Sequence, residues 1–549
     1  MVFARRSTTL LAAIIASCAM VLSLTACTSD NKTVVDGQTT VTSNSAGGVA
    51  VFTPSDGITL NQQMPLNKWA KLVPDLTKAL VDAGFKKGDI NHTTSDSLDK
   101  QSRAIQDFVV DHLSNNTTDD SGIAIAPDNM TLLVAPVVEA DASTRQYGDY
   151  VSQNLSTNDV TDEGATSDGE SSEDDSSKDD SSNTESDSTA SDEQAQAVDR
   201  LVSSLKLAKE SGMHVVLLGN SIEGYKPDAF VKFSDAQTIG KLQAEKMVSK
   251  LKLDKASKDN PKYIEVLLPY TAVDEKGNAN DSTFAQEAFR GIWQVLGSYY
   301  QKGVVESPSG TLDGKSTEND WQAVAYDVAK EGSTAKVLDK RLAKTDGQST
   351  LTRIDGIITM NDYIASEVVK ELDDLGYTGS AADINPQITI SGIVGNITGK
   401  KDLSRDAVPD PIKSPENDNA NDSSSSDDDA DEDTSASDKD RDSQWPLVTG
   451  YGAYVSNIPS IVNGKQWMTG MEDRQTIATD IAQACAKLNK DEALNSMPSI
   501  RNSEVGGVKK IPTISEPLLA VSASNLKSAL IDPGYISLGE AGLWFILVT

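Results

Sequence analysis

Side chains able to grip a small molecule recur in this chain at one kind of position, where an expected strand gives way to a loop or helix. Asn220 stands just past an apolar run at 214–218, Asp235 follows a run ending at Phe233, and Asn361-Asp362 closes the run 355–360. Asn280 and Gln286 lie where a loop meets a long helix, Trp69 sits near the first such loop, and Tyr451 and Glu472 end two later runs. Amides, carboxylates and hydroxyls of this kind exchange hydrogen bonds, and Tyr and Trp add a flat apolar face with a polar tip. Each position also has a purely structural reading. Trp69 is at core spacing on its helix, and Asp235, Asn361 and Asp362 are suited to capping the helices that follow them. Residues with catalytic signatures are missing. His92, His112 and His214 are scattered and no cysteines are paired, so no zinc pattern arises. There is no phosphate-cradling loop, no nucleophile elbow, and no carboxylate pair placed by a glycosidase-like motif. Binding without turnover is the expectation, with no metal and no cofactor.

The elements that must position these residues are clearest from Trp445 to Leu488. A short apolar strand ends at Gly450-Tyr451-Gly452. Val455, Ile458, Ile461 and Val462 then recur at helical spacing before the Asn463-Gly464 stop. A second strand covers 466–471, and Asp473 caps a helix with Ile477, Ile481, Ala484 and Leu488 on its apolar face. Strand, helix, strand, helix with tight turns predicts a parallel sheet with crossover helices. Ligands in such sheets sit beyond the carboxyl ends of the strands, which points Tyr451 and Glu472 toward one site. The same alternation occurs earlier. Strands are expected at 49–53, 132–138, 214–218 and 230–233, with helices at 194–211 and 236–251 and another carrying Leu66, Trp69, Val73, Leu76 and Leu80. It repeats with strands at 263–268 and 355–360 and helices through Phe284–Tyr299 and 364–375. The fold class expected is therefore α/β, with two successive open units of apolar strands between helices.

The ends and the charge complete the organisation. Arg5-Arg6 and the apolar run 10–24 have the form of an export signal, too short for an ordinary spanning helix. The run closes in Leu24-Thr25-Ala26-Cys27, which looks like a bacterial lipobox and makes Cys27 the expected lipid-bearing mature N-terminus. Cys18 leaves with the signal, so Cys485 remains alone and no intramolecular disulfide is expected. The net charge is −33. Residues 158–193 hold 14 acidic residues and one lysine, and residues 414–443 hold 12 acidic residues against Lys439 and Arg441. These Ser/Asp/Glu/Asn runs have almost no large apolar groups to bury, so both read as disordered acidic insertions. An acidic chain without a basic patch argues against nucleic acid. The expected organisation is a signal at 1–26, a tether at 27–47, a first lobe at 48–236, a second at 237–470, and returning segments at 471–549. The apolar end 542–549 is too short to span a bilayer and is expected to add a strand or pack on a lobe.

From about Val49 to Leu543 the chain resembles the type I periplasmic sugar-binding proteins of ABC importers, particularly the xylose and multiple-monosaccharide binders. The resemblance is carried by Phe233-Ser-Asp-Ala-Gln-Thr-Ile-Gly240, by Asn361-Asp362, by 450–473, and by Lys510-Ile511-Pro512 through Asp532-Pro-Gly-Tyr535. It implies two doubly wound parallel-sheet lobes joined by a hinge, closing on a sugar and delivering it to a membrane permease and its ATPase. With Cys27 lipidated, it also implies an extracytoplasmic monomer anchored to the membrane. Departures are concentrated at the site. Gly219-Asn220 stands where members commonly have Asp-Arg, Tyr451-Gly452 where they have Gln-Asp, and Glu472 where they have lysine. Fewer ionic groups and more stacking at Tyr451 and Trp69 would suit a neutral carbohydrate larger than one pyranose. The other readings are a sensory or accessory lipoprotein on the same fold with an altered ligand, and, less favoured, a glycosidase.

Overall fold

The computed structural model describes residues 46–55, 65–115, 125–138, 144, 146–151, 153–156, 185–273, 280–328, 330–343, 350–381 and 445–540. The expectations for Cys27, for 414–443, for most of 158–193 and for the apolar end lie outside the described residues.

A seven-stranded sheet organises the first lobe, in the order Ile500–Val505, Val508–Ser515, Ala229–Lys232, His214–Leu218, Met130–Val134, Gly48–Pro54, Ile90–Ser95. Every neighbouring pair is parallel except the edge hairpin formed by Ile500–Val505 and Val508–Ser515. Period-two alternation sends side chains to both faces, and both faces are covered. Val49, Val51, Leu133, Val216, Leu218 and Val231 pack with the helices Trp69–Asp82 and Arg474–Leu488. Ala50, Phe52, Leu132, Val134, Val215 and Leu217 pack on the other side with Leu98–Asn115 and Glu185–Glu210. Strands buried on both faces must be continuously apolar, which is why they stand out in the sequence.

The second lobe holds the parallel sheet Val305–Glu306, Lys262–Val266, Gly356–Ile358, Leu447–Val448. Ile264, Val266, Ile357 and Val448 share a core with Ile239 and Met247 of Ala236–Leu251, Phe289 and Ile292 of Thr283–Gln301, and Val368 of Asp362–Asp374. Burying each such side chain contributes about 1.5–3 kcal/mol.

Among the described residues, three segments connect the first lobe with the second lobe or with the two-stranded sheet beside it. Residues 233–235 lead from Ala229–Lys232 into the helix Ala236–Leu251, and Glu472 and Asp473 lead from Met468–Met471 into Arg474–Leu488. Residues 516–518 lead from Val508–Ser515 to Leu519–Ser522, which pairs antiparallel with Met468–Met471. The α/β class and the large parallel sheet are those expected.

Several boundaries differ from expectation: the strand expected at 355–360 is Gly356–Ile358, the one expected at 466–471 is Met468–Met471 and pairs antiparallel, and two others shift further. The strand begun at 132 runs Met130–Val134, and residues 135–138 continue without strand pairing. The helix expected from Gln194 begins at Glu185, so the tail of the first acidic segment is helical rather than disordered. An acidic start suits the positive end of the helix dipole, which composition alone had disguised as solvated chain.

Candidate functional site

The carboxyl ends of both sheets meet at the crossings, and a knot of three buried side chains ties two of them together. The Ser234 amide donates to Glu472 Oε1 at 2.7 Å, Tyr451 OH donates to the same oxygen at 3.2 Å, and Ser234 Oγ hydrogen-bonds the Tyr451 hydroxyl. Tyr451 is 0% and Glu472 1% exposed. Burial pushes the Glu472 carboxyl above its ordinary range against the pull of these donors, and burial with Glu472 alongside raises the Tyr451 hydroxyl. Both side chains are enclosed among these partners in this structure. A buried carboxylate without a cation needs such donors to avoid its desolvation cost.

Asp362 makes a second knot one strand away. Its Oδ1 accepts from Gln466 Nε2 at 2.6 Å, and its Oδ2 accepts from Thr469 Oγ1 at 2.8 Å and from the Tyr454 amide at 2.9 Å. The carboxyl is fully buried, has no ion-pair partner among the described residues, and is pushed up to about 6 by that burial. Gly450 is required beside it, because a Cβ there would stand 2.1 Å from Asp362 Oδ1. That explains half of the Gly-Tyr-Gly turn.

The remaining candidates divide into caps, loop ties and lobe contacts. Asp235 caps its helix, accepting from the Thr238 amide at 2.7 Å, and pairs with Lys232 at 2.8 Å. Asn361 caps the next helix through the Ile364 amide at 2.9 Å. Asn280 Nδ2 donates to the Thr271 carbonyl at 2.8 Å, and Gln286 Nε2 donates to Ser282 Oγ at 2.7 Å. Asn280 and Phe284 line a recess of about 10 Å³, room for little more than one water and far below the ~300–1,000 Å³ of usual ligand pockets. Asn220 is buried and ties loops together, donating to the Pro136 carbonyl at 2.9 Å and accepting from the Gln153 amide at 3.0 Å. Trp69 is buried edge-on against Tyr150 and Phe233, with ring centroids 5.1 and 5.7 Å away.

Sequence reasoning missed the partners of these groups. Ser234 completes the hinge knot, and Asn67 sits beside it, accepting from the Glu472 amide at 3.5 Å. Asn67 Nδ2 is buried without a hydrogen-bond partner among the described residues. The larger omission is residues 146–151, which lie between the lobes. Gln146 Oε1 accepts from Asn361 Nδ2 at 3.1 Å, and its carbonyl accepts from Tyr454 OH at 2.7 Å. Tyr147 packs on Phe284 at 4.7 Å and on Tyr451 at 6.3 Å. Asp149 accepts from Lys68 Nζ at 2.8 Å and from the Trp69 amide at 3.1 Å. Tyr150 stacks on Phe233 at 4.8 Å and donates its hydroxyl to the Lys68 carbonyl. The one available signal was the aromatic pair around a glycine in Tyr147-Gly148-Asp149-Tyr150.

Among the described residues no helix is long and apolar enough to cross a membrane, and no cluster of His, Cys, Asp and Glu is arranged to hold a metal ion. No family model matches the sequence. No curated protein matches it either. Solved structures do resemble the fold. One is an ABC transporter solute-binding protein from Clostridium phytofermentans with bound β-D-glucose, 16% identical over 90% of this chain and 99% of that one, with a TM-score of 0.44. A carbohydrate transporter solute-binding protein from Chloroflexus aurantiacus in complex with D-glucose is 17% identical over 91% and 98%, with a TM-score of 0.43. A solute-binding protein from Bacillus halodurans with bound myo-inositol is 10% identical over 89% and 98%, with a TM-score of 0.36. All three are solute-binding proteins of transporters with bound glucose or inositol, and the likeness is one of fold.

Proposed function

We propose that this chain is an extracytoplasmic solute-binding protein of a carbohydrate importer, anchored through lipid on Cys27. It takes a sugar between its lobes and hands it to an ABC permease and its ATPase. The observation that carries this reading is the junction itself. Three segments cross there, one leading from the seven-stranded sheet into the helix Ala236–Leu251 of the second lobe and two running from or to the antiparallel pair Met468–Met471 and Leu519–Ser522, an arrangement that lets two bodies close about a few residues. Aromatic rings at Trp69, Phe233, Phe284 and Tyr451 and amides at Asn67, Asn220 and Asn361 converge on that junction, and a neutral polyhydroxyl ring uses both kinds of group. Turnover is not expected, because Asp362 and Glu472 are each taken up by their own donors. Native mass spectrometry for a co-purified sugar, with calorimetry against mono- and oligosaccharides, tests the reading. A bound sugar supports it, and silence across the panel from a protein shown to be open overturns it.

One observation favours the sensory or accessory alternative. Several groups that would meet a solute are already bonded to residues 146–151 and 153 of the chain.

A further inference from the structure

We propose that residues 146–151 are a tethered pseudo-ligand, a piece of the chain that occupies the solute site and holds the lobes closed in the absence of solute. This rests on the solute-binding reading above. Of the nine side chains singled out for binding from the sequence, Trp69, Asn361 and Tyr451 meet this one segment, and Asn220 meets Gln153 just after it.

The segment resembles a bound ligand in its division of contacts. Gln146 and Tyr147 serve the second lobe, through Asn361, Tyr454 and Phe284. Asp149 and Tyr150 serve the first, through Lys68, Trp69 and Phe233. Between them Gly148 takes a φ of +95°, and a Cβ there would stand 2.6 Å from the Asn67 carbonyl oxygen. Only glycine fits that passage. Tyr147 and Tyr150 are each 1% exposed, so the contacts are dry and shaped rather than incidental. The two rings expected to stack on a sugar, Tyr451 and Trp69, are covered instead by the chain's own tyrosines, Tyr147 tilted against Tyr451 at 6.3 Å and Tyr150 edge-on to Trp69 at 5.1 Å. Downstream, Asn154–Leu155 pairs in parallel with Ser221–Ile222, which fixes one end of the segment to the first lobe.

A resident occupant lowers the fraction of molecules competent to bind solute, and apparent affinity falls by that fraction. Displacing it would raise affinity and open the lobes together. The test compares wild type with Tyr147→Ala/Tyr150→Ala by small-angle scattering without solute and by calorimetry against the carbohydrate panel. Wild type is expected to scatter as a closed particle whatever is added. The double variant is expected to expand and to gain at least about tenfold in affinity for any sugar that wild type binds. Expansion with no sugar bound supports the pseudo-ligand and overturns only the carbohydrate reading. A wild type already open, or a variant that stays closed at unchanged affinity, overturns the pseudo-ligand. Should the double variant fail to fold, Gln146→Ala/Asp149→Ala removes the side-chain ties to Asn361 and Lys68 while leaving both rings, and the same two readouts decide.

Discussion

The Ser234 amide lies 2.7 Å from Glu472 Oε1, so a buried carboxylate on one crossing segment accepts from the backbone of another. The two residues come from different passages of the chain between lobes. Any bending of the hinge must carry this bond along or break it, which makes the Glu472 environment a sensor of hinge integrity.

Tyr451→Phe tests that knot without opening a cavity. It removes the hydroxyl bonded to Ser234 and Glu472 and leaves the ring in place. Leaving buried polar partners unsatisfied costs about 1–3 kcal/mol, to be read from urea unfolding. Tyr451→Ala adds the loss of a wholly buried ring and should cost about 3–5 kcal/mol. A Tyr451→Phe protein as stable as wild type would show that the hydroxyl is not holding the hinge.

Asp362 should make stability depend on pH. Its folded pKa of about 6 lies above the ordinary 3.8, so the folded chain binds this proton more tightly than the unfolded chain. The stabilisation is full below about pH 4 and is lost as pH rises through about 6, by up to about 3 kcal/mol. Glu472 is shifted in the same direction and adds to the slope. Urea midpoints at about pH 4 and about pH 7 should differ less in Asp362→Asn than in wild type. An identical difference in both proteins would remove Asp362 as its source.

Deleting residues 158–184 and 414–443 should leave the melting temperature nearly unchanged. Both stretches are almost devoid of large apolar side chains, and a doubling of loop length costs only about 0.6 kcal/mol in closure entropy. A marked drop on calorimetric melting would mean that either stretch packs. The first cut stops at 184 because the helix begins at Glu185.

Cys27→Ser should release the protein from the membrane fraction. The expectation rests on Leu24-Thr25-Ala26-Cys27 at the end of the apolar run. Membrane association that persists in the variant after signal removal, with no acyl mass on wild type, would contradict it.

The sequence alone was enough for whatever short-range physics decides. The caps at Asp235, Asn361 and Asp473 each bond an amide three residues ahead, so residue type and spacing suffice. The strands of the first lobe are legible because burial on two faces demands unbroken apolar runs. What a polar group at a strand end then touches is settled by tertiary structure. Asn361 meets Gln146 across 215 residues of chain, and Ser234 meets Glu472 across 238. Asn, Asp, Glu or Tyr at such a position reads the same in sequence whether a solute or another stretch of the chain satisfies it. Both solve one problem, the cost of a buried polar group, and only the folded chain shows that here residues 146–151 are the partner for several of them.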